Sequence, residues 1–145
     1  MYYYNNIIDQ NGLQPADRIV APKSGWEIIQ HHAIYWGRDA NGADWVIENV
    51  VGLGVKYTEF NEFYQRVGKI TRIEKFSGNY WERQDAIQRG VKYIGQPYNV
   101  VSFNCEHFAN LVQTKEVKSQ QMNKVGVGLW LAFAAALVYL GTKES

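Results

Sequence analysis

Alternation between apolar and polar positions dominates the first half of the chain. Residues 18–21 form one short extended run, and residues 26–36, which are apolar and β-branched in part, form a longer one in which alternate side chains belong to opposite faces. A polar segment with Asn-Gly at 41–42, a dipeptide typical of tight hairpin turns, separates this run from the next one at 45–51. The pattern predicts an antiparallel hairpin, in which the end of the second strand returns beside the histidine pair at 31–32.

Apolar residues at intervals of three and four predict helices after the hairpin. Thr58 is expected to cap the first helix and Gly68 to end it. Asn79 is expected to cap the second, in which Trp81 and Ile87 belong to one buried stripe.

The third helix is expected to begin at Cys105, with Phe108 and Leu111 on its core face. A further strand is predicted within residues 69–76, and residues 1–14 are interpreted as a loose, tyrosine- and asparagine-rich arm. Strands that come first, with helices interleaved after them, predict an α+β fold built on an antiparallel sheet.

The C-terminal part of the chain is of a different kind, since residues 125–141 carry no charge and are apolar on every side of a helix. This favours a transmembrane anchor, with a buried or surface-lying helix as the alternative. Basic residues before the run favour a cytoplasmic main domain. The expected organisation is an arm at 1–14, a main domain at 15–118, a linker at 119–124, the anchor and a tail at 142–145.

Composition narrows the function classes without choosing one. With 15 basic and 14 acidic residues the net charge is +1, so charge gives no support for binding nucleic acid. No glycine-rich phosphate loop and no pair of closely spaced cysteines is present, so nucleotide sites and structural zinc sites lack support. The single cysteine has no partner within the chain for a disulfide.

Cys105 is the strongest candidate for a catalytic residue. At the start of a helix, backbone N–H groups and the helix dipole stabilise a thiolate, although many lone cysteines are inert buried residues. A thiolate that attacks a carbonyl needs a nearby imidazole, oriented by a third polar group. His31 or His32 can supply the base, and Glu48 or Asn49 on the neighbouring strand can supply the orienting group.

Two short motifs resemble those of the lecithin retinol acyltransferase family. Residues 31–37, HHAIYWG, are similar to its histidine box, and residues 104–108, NCEHF, match its cysteine box almost letter for letter. Pro-Ala-Asp-Arg-Ile at 15–19 resembles the entry to the family's first strand. The order and spacing agree over residues 15–141, which include the apolar C-terminal run.

The resemblance implies a circularly permuted papain-like fold, related to the NlpC-type cysteine peptidases. It also implies Cys105 as nucleophile and His31 as base. Glu48 stands where the animal enzymes have a second histidine, and Asn49 is the alternative because the hairpin turn here is longer. Asn104, or the backbone N–H of Cys105, is a candidate oxyanion donor. His107, inside the cysteine box, is expected to be structural.

The function implied is that of a thiol acyltransferase or phospholipase A, with no cofactor and no metal. The expected partners are a phospholipid acyl donor, an acceptor that is water, an amine or a lipid hydroxyl, and a membrane bound through 125–141. The alternatives are a cysteine peptidase or amidase of the NlpC type, and a membrane-associated interaction module without catalysis.

Overall fold

The computed structural model describes residues 3–23 and 26–116, which form an α+β fold around one antiparallel sheet. The five strands of the sheet are β1 (Arg18–Lys23), β2 (Trp26–Arg38), β3 (Asp44–Val50), β4 (Gly54–Glu59) and β5 (Arg72–Glu74). The four helices are α1 (Tyr3–Gln10), α2 (Phe60–Val67), α3 (Tyr80–Lys92) and α4 (Cys105–Thr114). The strand order across the sheet is β4-β3-β2-β1-β5.

The predicted hairpin is confirmed. Strands β2 and β3 pair antiparallel, with Ala33 opposite Glu48 and Tyr35 opposite Val46. Gly42 in the connecting turn has a φ of 82°, a conformation that glycine adopts without the strain of a Cβ atom. This register brings the end of β3 beside the histidines of β2, as the sequence pattern indicates.

The two faces of the sheet carry separate apolar cores, because side chains alternate along each strand. On one face Ala33, Tyr35 and Val46 pack with Phe60 and Phe63 of α2. On the other face α3 and α4 cover the sheet, and the core there includes the following buried residues: Ile34, Ile47, Val55, Ile87, Phe108 and Val112. The helix that begins at Cys105 is therefore held in place by its own apolar face.

Three helix boundaries follow from their caps. Gly68 ends α2 in the left-handed conformation, and the Asn79 side chain forms a capping box with Glu82 at the start of α3, both as predicted. Asn104 caps α4 through its side-chain oxygen. Helix α4 therefore begins at Cys105, as the sequence predicts.

Three predictions of local structure are wrong. The segment predicted as a loose arm contains α1, which is stabilised by tertiary packing because Ile8 and Leu13 are buried. Thr58 lies within β4 rather than capping α2, whose N-cap is Glu59. Trp81 is 76% exposed, so it does not belong to the buried stripe of α3.

Within residues 3–23 and 26–116, no helix combines the length and the apolar character needed to span a bilayer. The predicted linker at 119–124, the predicted anchor at 125–141 and the tail at 142–145 lie outside the described residues.

Candidate active site

The first turn of α4 is organised by Asn104. Its Oδ1 accepts hydrogen bonds from the backbone N–H groups of Glu106 and His107, each at 3.0 Å. In return, the backbone N–H of Asn104 donates to Nδ1 of His107 at 3.1 Å. His107 therefore completes a capping box through a hydrogen bond with the backbone, and burial lowers its pKa.

Cys105 lies against the main chain of β2, close to the point where β2 stops pairing with β3. The pairing of β2 with β3 ends at Ala33 and Glu48, although both strands continue. Beyond this point the Cys105 Sγ atom lies 3.8 Å from the carbonyl oxygen of Gln30 and interacts with the backbone N–H of His32. Cys105 as a whole residue is 4% exposed. The N-terminus of α4 thus brings the nucleophile candidate to the same part of β2 as the histidines.

His31 bridges Cys105 and Glu48. Its Nε2 atom lies 2.5 Å from Oε2 of Glu48, and its side chain also hydrogen bonds to Cys105. Because Nε2 is occupied by the carboxylate, Nδ1 is the ring nitrogen that serves the thiol. The ring of Phe63 on α2 lies 6.2 Å from the imidazole, centroid to centroid, and limits the space in which the imidazole can turn.

Glu48 is fully buried, and both of its oxygens have partners. Oε2 faces His31, while Oε1 accepts a hydrogen bond from the Thr58 hydroxyl at 2.7 Å and another from the Arg66 guanidinium. A buried carboxylate costs free energy unless it is paired and hydrogen bonded, and these three partners supply that compensation. The chain Arg66–Glu48–His31–Cys105 is therefore a continuous polar path through the interior.

The charges along this path support one another. Burial opposes the imidazolium form, but hydrogen bonds with Cys105 and Glu48 outweigh it and raise the pKa of His31 to about 9. Burial likewise opposes the thiolate, but His31 holds the pKa of Cys105 below its ordinary value. Burial also opposes ionisation of Glu48, but His31 and Arg66 lower its pKa to about 2. The raised pKa of His31 and the lowered pKa values of Cys105 and Glu48 all favour a thiolate–imidazolium–carboxylate array.

His32 is in a different environment from its neighbour. Its side chain belongs to the opposite face of β2, and burial together with the positive charge of Arg18 lowers its pKa to about 3. An imidazole that stays neutral at physiological pH, and whose ring is directed away from Glu48, does not form part of the array. Of the two imidazole rings, that of His31 is the one that hydrogen bonds to Cys105.

The alternative orienting residue and the oxyanion candidate have other roles. Asn49 donates from Nδ2 to the carbonyl oxygen of Phe103 at 2.8 Å, which ties β3 to the loop before α4. The amide of Asn104 caps α4 through Oδ1 and donates from Nδ2 to Val100 at 3.2 Å. The backbone N–H of Cys105 lies at the first position of α4, where a helix offers no internal acceptor, so it stays a candidate oxyanion donor.

Sequence reasoning missed Thr58 and Arg66. Thr58 on β4 pairs with Val46 of β3, which is two residues from Glu48 on the same strand. The side chains of Thr58 and Glu48 therefore lie on the same face of the sheet. Arg66 follows the buried Phe63 by three residues on α2, and residues three apart share one face of a helix. Strand and helix periodicity therefore indicate which face each of these two side chains occupies. That they contact Glu48 follows only once it is known that α2 covers this face of the sheet.

A cavity of about 170 Å³ opens beside the array, with His31 on its wall. Lys23, Arg66 and Tyr98 also line it, and burial beside the negative Cys105 raises the pKa of Tyr98. A molecule in this cavity meets the imidazole that pairs with Cys105. A thiol paired with an imidazole and a carboxylate is the set of groups that supports nucleophilic attack by sulfur on a carbonyl group, with the imidazole as the proton carrier.

Among the described residues, no group of three or more His, Cys, Asp or Glu side chains is arranged to hold a metal ion. No protein-family model, no curated protein and no solved structure matches this chain.

Proposed function

We propose that this protein is a cysteine-dependent acyltransferase or phospholipase A, which forms an acyl-enzyme on Cys105 from a glycerophospholipid ester. The observation that carries the proposal is the double contact of His31, with Cys105 on one side and the buried Glu48 on the other. The resemblance of residues 104–108 to the cysteine box of lipid acyltransferases supports an ester donor.

In the first half-reaction the Cys105 thiolate attacks the ester carbonyl carbon. In this proposal the backbone N–H of Cys105 stabilises the developing oxyanion. As the tetrahedral intermediate collapses, the C–O bond of the ester breaks and His31 donates its Nδ1 proton to the departing alkoxide. The products are a lysophospholipid and a thioester on Cys105, and His31 is left neutral.

In the second half-reaction neutral His31 acts as the base. It takes a proton from the acceptor, which is water in a phospholipase and an amine or lipid hydroxyl in an acyltransferase. The acceptor attacks the thioester, the C–S bond breaks, and the thiolate–imidazolium pair forms again. Glu48 stabilises the imidazolium in both halves and keeps Nε2 protonated, so that Nδ1 is free to exchange the proton.

The membrane location is part of the same proposal. Residues 125–141, if they act as a C-terminal anchor, keep the domain at the surface where its donor is found, with the catalytic domain in the cytoplasm.

The function is tested by incubating the full-length protein with phosphatidylcholine vesicles and measuring lysophospholipid and free or transferred fatty acid. Cys105→Ala and His31→Gln are each expected to lower the rate by at least about 10³-fold, and the double variant no further, because residues that act as a unit are not additive. The matched control is His32→Gln, an adjacent buried histidine whose side chain is outside the array. It is expected to retain most of the activity.

A panel of peptide and isopeptide substrates, assayed in parallel, separates ester from amide chemistry. Cleavage of peptides with lipids untouched would support the cysteine peptidase alternative instead. Turnover of neither class, with Cys105 intact and the fold verified by circular dichroism, would contradict the proposal and favour an interaction module.

A further inference from the structure

The cavity beside His31 has a positively charged rim. Lys23 at the end of β1 and Arg66 on α2 both line it, and no Asp or Glu is among the described residues on its wall. A cavity that concentrates one sign of charge attracts ligand groups of the opposite sign. The rim therefore favours an anion close to the reacting imidazole.

Lys23 is available for such a ligand. Its Nζ atom lies 5.5 Å from the centre of the Tyr98 ring, and no carboxylate among the described residues lies within ion-pair distance of it. The contact with Tyr98 holds the ammonium at the cavity without neutralising it. A cation that is positioned but not paired is suited to a negatively charged ligand group.

Arg66 is partly available as well. One of its terminal nitrogens contacts Glu48, and its side chain is 41% exposed. A guanidinium has five N–H donors in a fixed fork, so donors remain for a second acceptor that approaches from the cavity side. A phosphate oxygen matches this geometry well, because guanidinium binds phosphate through parallel hydrogen bonds.

The remaining wall suits the apolar part of a lipid. Val50, Val51 and Val67 line the cavity together with Pro22. In a glycerophospholipid the phosphate is attached to the carbon next to the one that bears the sn-2 ester. A ligand whose phosphate reaches the two cations therefore brings its ester close to His31, the partner of Cys105.

We propose that Lys23 and Arg66 form a subsite for the phosphate of the acyl donor, and that this subsite selects lipids with a net negative headgroup, such as phosphatidylglycerol, over zwitterionic phosphatidylcholine. The inference rests on the proposed function. A quaternary ammonium has no carboxylate to bind on this wall, and the face of Tyr98 is already occupied by Lys23.

The test uses the full-length protein in a neutral detergent, with short-chain lipids supplied below their critical micelle concentration so that surface charge plays no part. The wild-type protein is expected to show kcat/KM at least about tenfold higher for dihexanoyl phosphatidylglycerol than for dihexanoyl phosphatidylcholine. Lys23→Gln is expected to reduce this preference to about twofold or less, mainly through KM, and Lys23→Arg is expected to restore most of it.

Lys92→Gln on α3 is the matched control, since this exposed lysine is not at the cavity and should leave the preference unchanged. Binding of sn-glycero-3-phosphoglycerol and of inorganic phosphate, followed by calorimetry, distinguishes a lipid headgroup site from a general phosphate site. Weaker headgroup binding in Lys23→Gln, with phosphate bound poorly by both proteins, supports the proposal.

The proposal is overturned if phosphatidylglycerol and phosphatidylcholine are used equally and Lys23→Gln changes neither rate. Equal binding of phosphate and headgroup also overturns it, in favour of a general anion site. If neither lipid is turned over by the wild-type protein, the proposed function has failed, and that result is distinct from equal turnover of both.

Discussion

Replacing Glu48 by glutamine tests the array with almost no change in side-chain shape. Two donors, the Thr58 hydroxyl and the Arg66 guanidinium, both contact Oε1 of the native carboxylate. Because guanidinium cannot accept a hydrogen bond, the new amide is expected to keep its oxygen on that side and to direct its NH₂ group at His31. Nε2 of His31 must then be the acceptor, which leaves the proton of the neutral ring on Nδ1.

That tautomer cannot take a proton from Cys105. The charge change acts in the same direction, since raising the pKa of His31 from 6.5 to about 9 corresponds to about 3 kcal/mol in favour of the imidazolium, at about 1.4 kcal/mol per pKa unit. Glu48 and Cys105 both contribute to this stabilisation of the imidazolium. Losing the contribution of Glu48, roughly half of the total, is expected to lower the population of the thiolate–imidazolium pair by about tenfold. Together with the wrong tautomer, Glu48→Gln is expected to lower kcat/KM by about 10² to 10⁴.

The most direct assay is the rate at which iodoacetamide alkylates Cys105, measured from pH 5 to 10, because it reports thiolate without depending on the substrate. Glu48→Gln is expected to move the alkylation midpoint upward, towards that of an ordinary thiol. Adding Arg66→Ala releases the amide and should recover part of the rate. A midpoint in Glu48→Gln that coincides with the wild-type midpoint, with the fold intact, would refute the proposed coupling.

Four further predictions concern the charge of His31 and the packing and capping of α4. Since the pKa of His31 is about 9, lipid turnover should fall as the pH rises through that value. Because this pKa lies above the ordinary value of 6.5, the protonated His31 stabilises the fold below pH 6.5, and urea titrations should show this contribution lost as the pH rises towards 9. Phe108→Ala should lower the free energy of unfolding by about 3–5 kcal/mol in urea titrations, because Phe108 is fully buried in the core under α4; a loss below 1 kcal/mol would contradict that packing. Asn104→Ala should cost about 1 kcal/mol of stability and slow Cys105 alkylation at pH 7, whereas an unchanged melting temperature would argue against the cap.

The hairpin and the start of α4 follow from local signals in the sequence. The Asn-Gly turn at 41–42 predicts the hairpin, but an irregularity between Tyr35 and Gly37 shifts the pairing by one residue. This shift, which the sequence pattern does not show, puts Glu48 rather than Asn49 on the face of His31. The start of α4 at Cys105 follows from the Asn104 cap and the apolar spacing after it. These features depend on a few neighbouring residues, which is why a single sequence contains them.

The features that sequence reasoning missed depend on contacts between distant segments. Thr58 has the residue type of a helix cap, but its hydroxyl is used by Glu48 from the neighbouring strand, and the helix starts two residues later. The N-terminal helix is short and polar, and it is stabilised where Ile8 packs against the core beneath α2. Neither outcome can be derived without knowing which face each helix covers.

The central claim is that Cys105 carries the acyl group. Intact-protein mass spectrometry after brief incubation with a phospholipid tests it, since a thioester adds the mass of one acyl chain. We expect an adduct that maps to Cys105, is removed by hydroxylamine, accumulates when the acceptor is withheld and is absent from Cys105→Ala. Lysophospholipid released at the wild-type rate by Cys105→Ala would contradict the account.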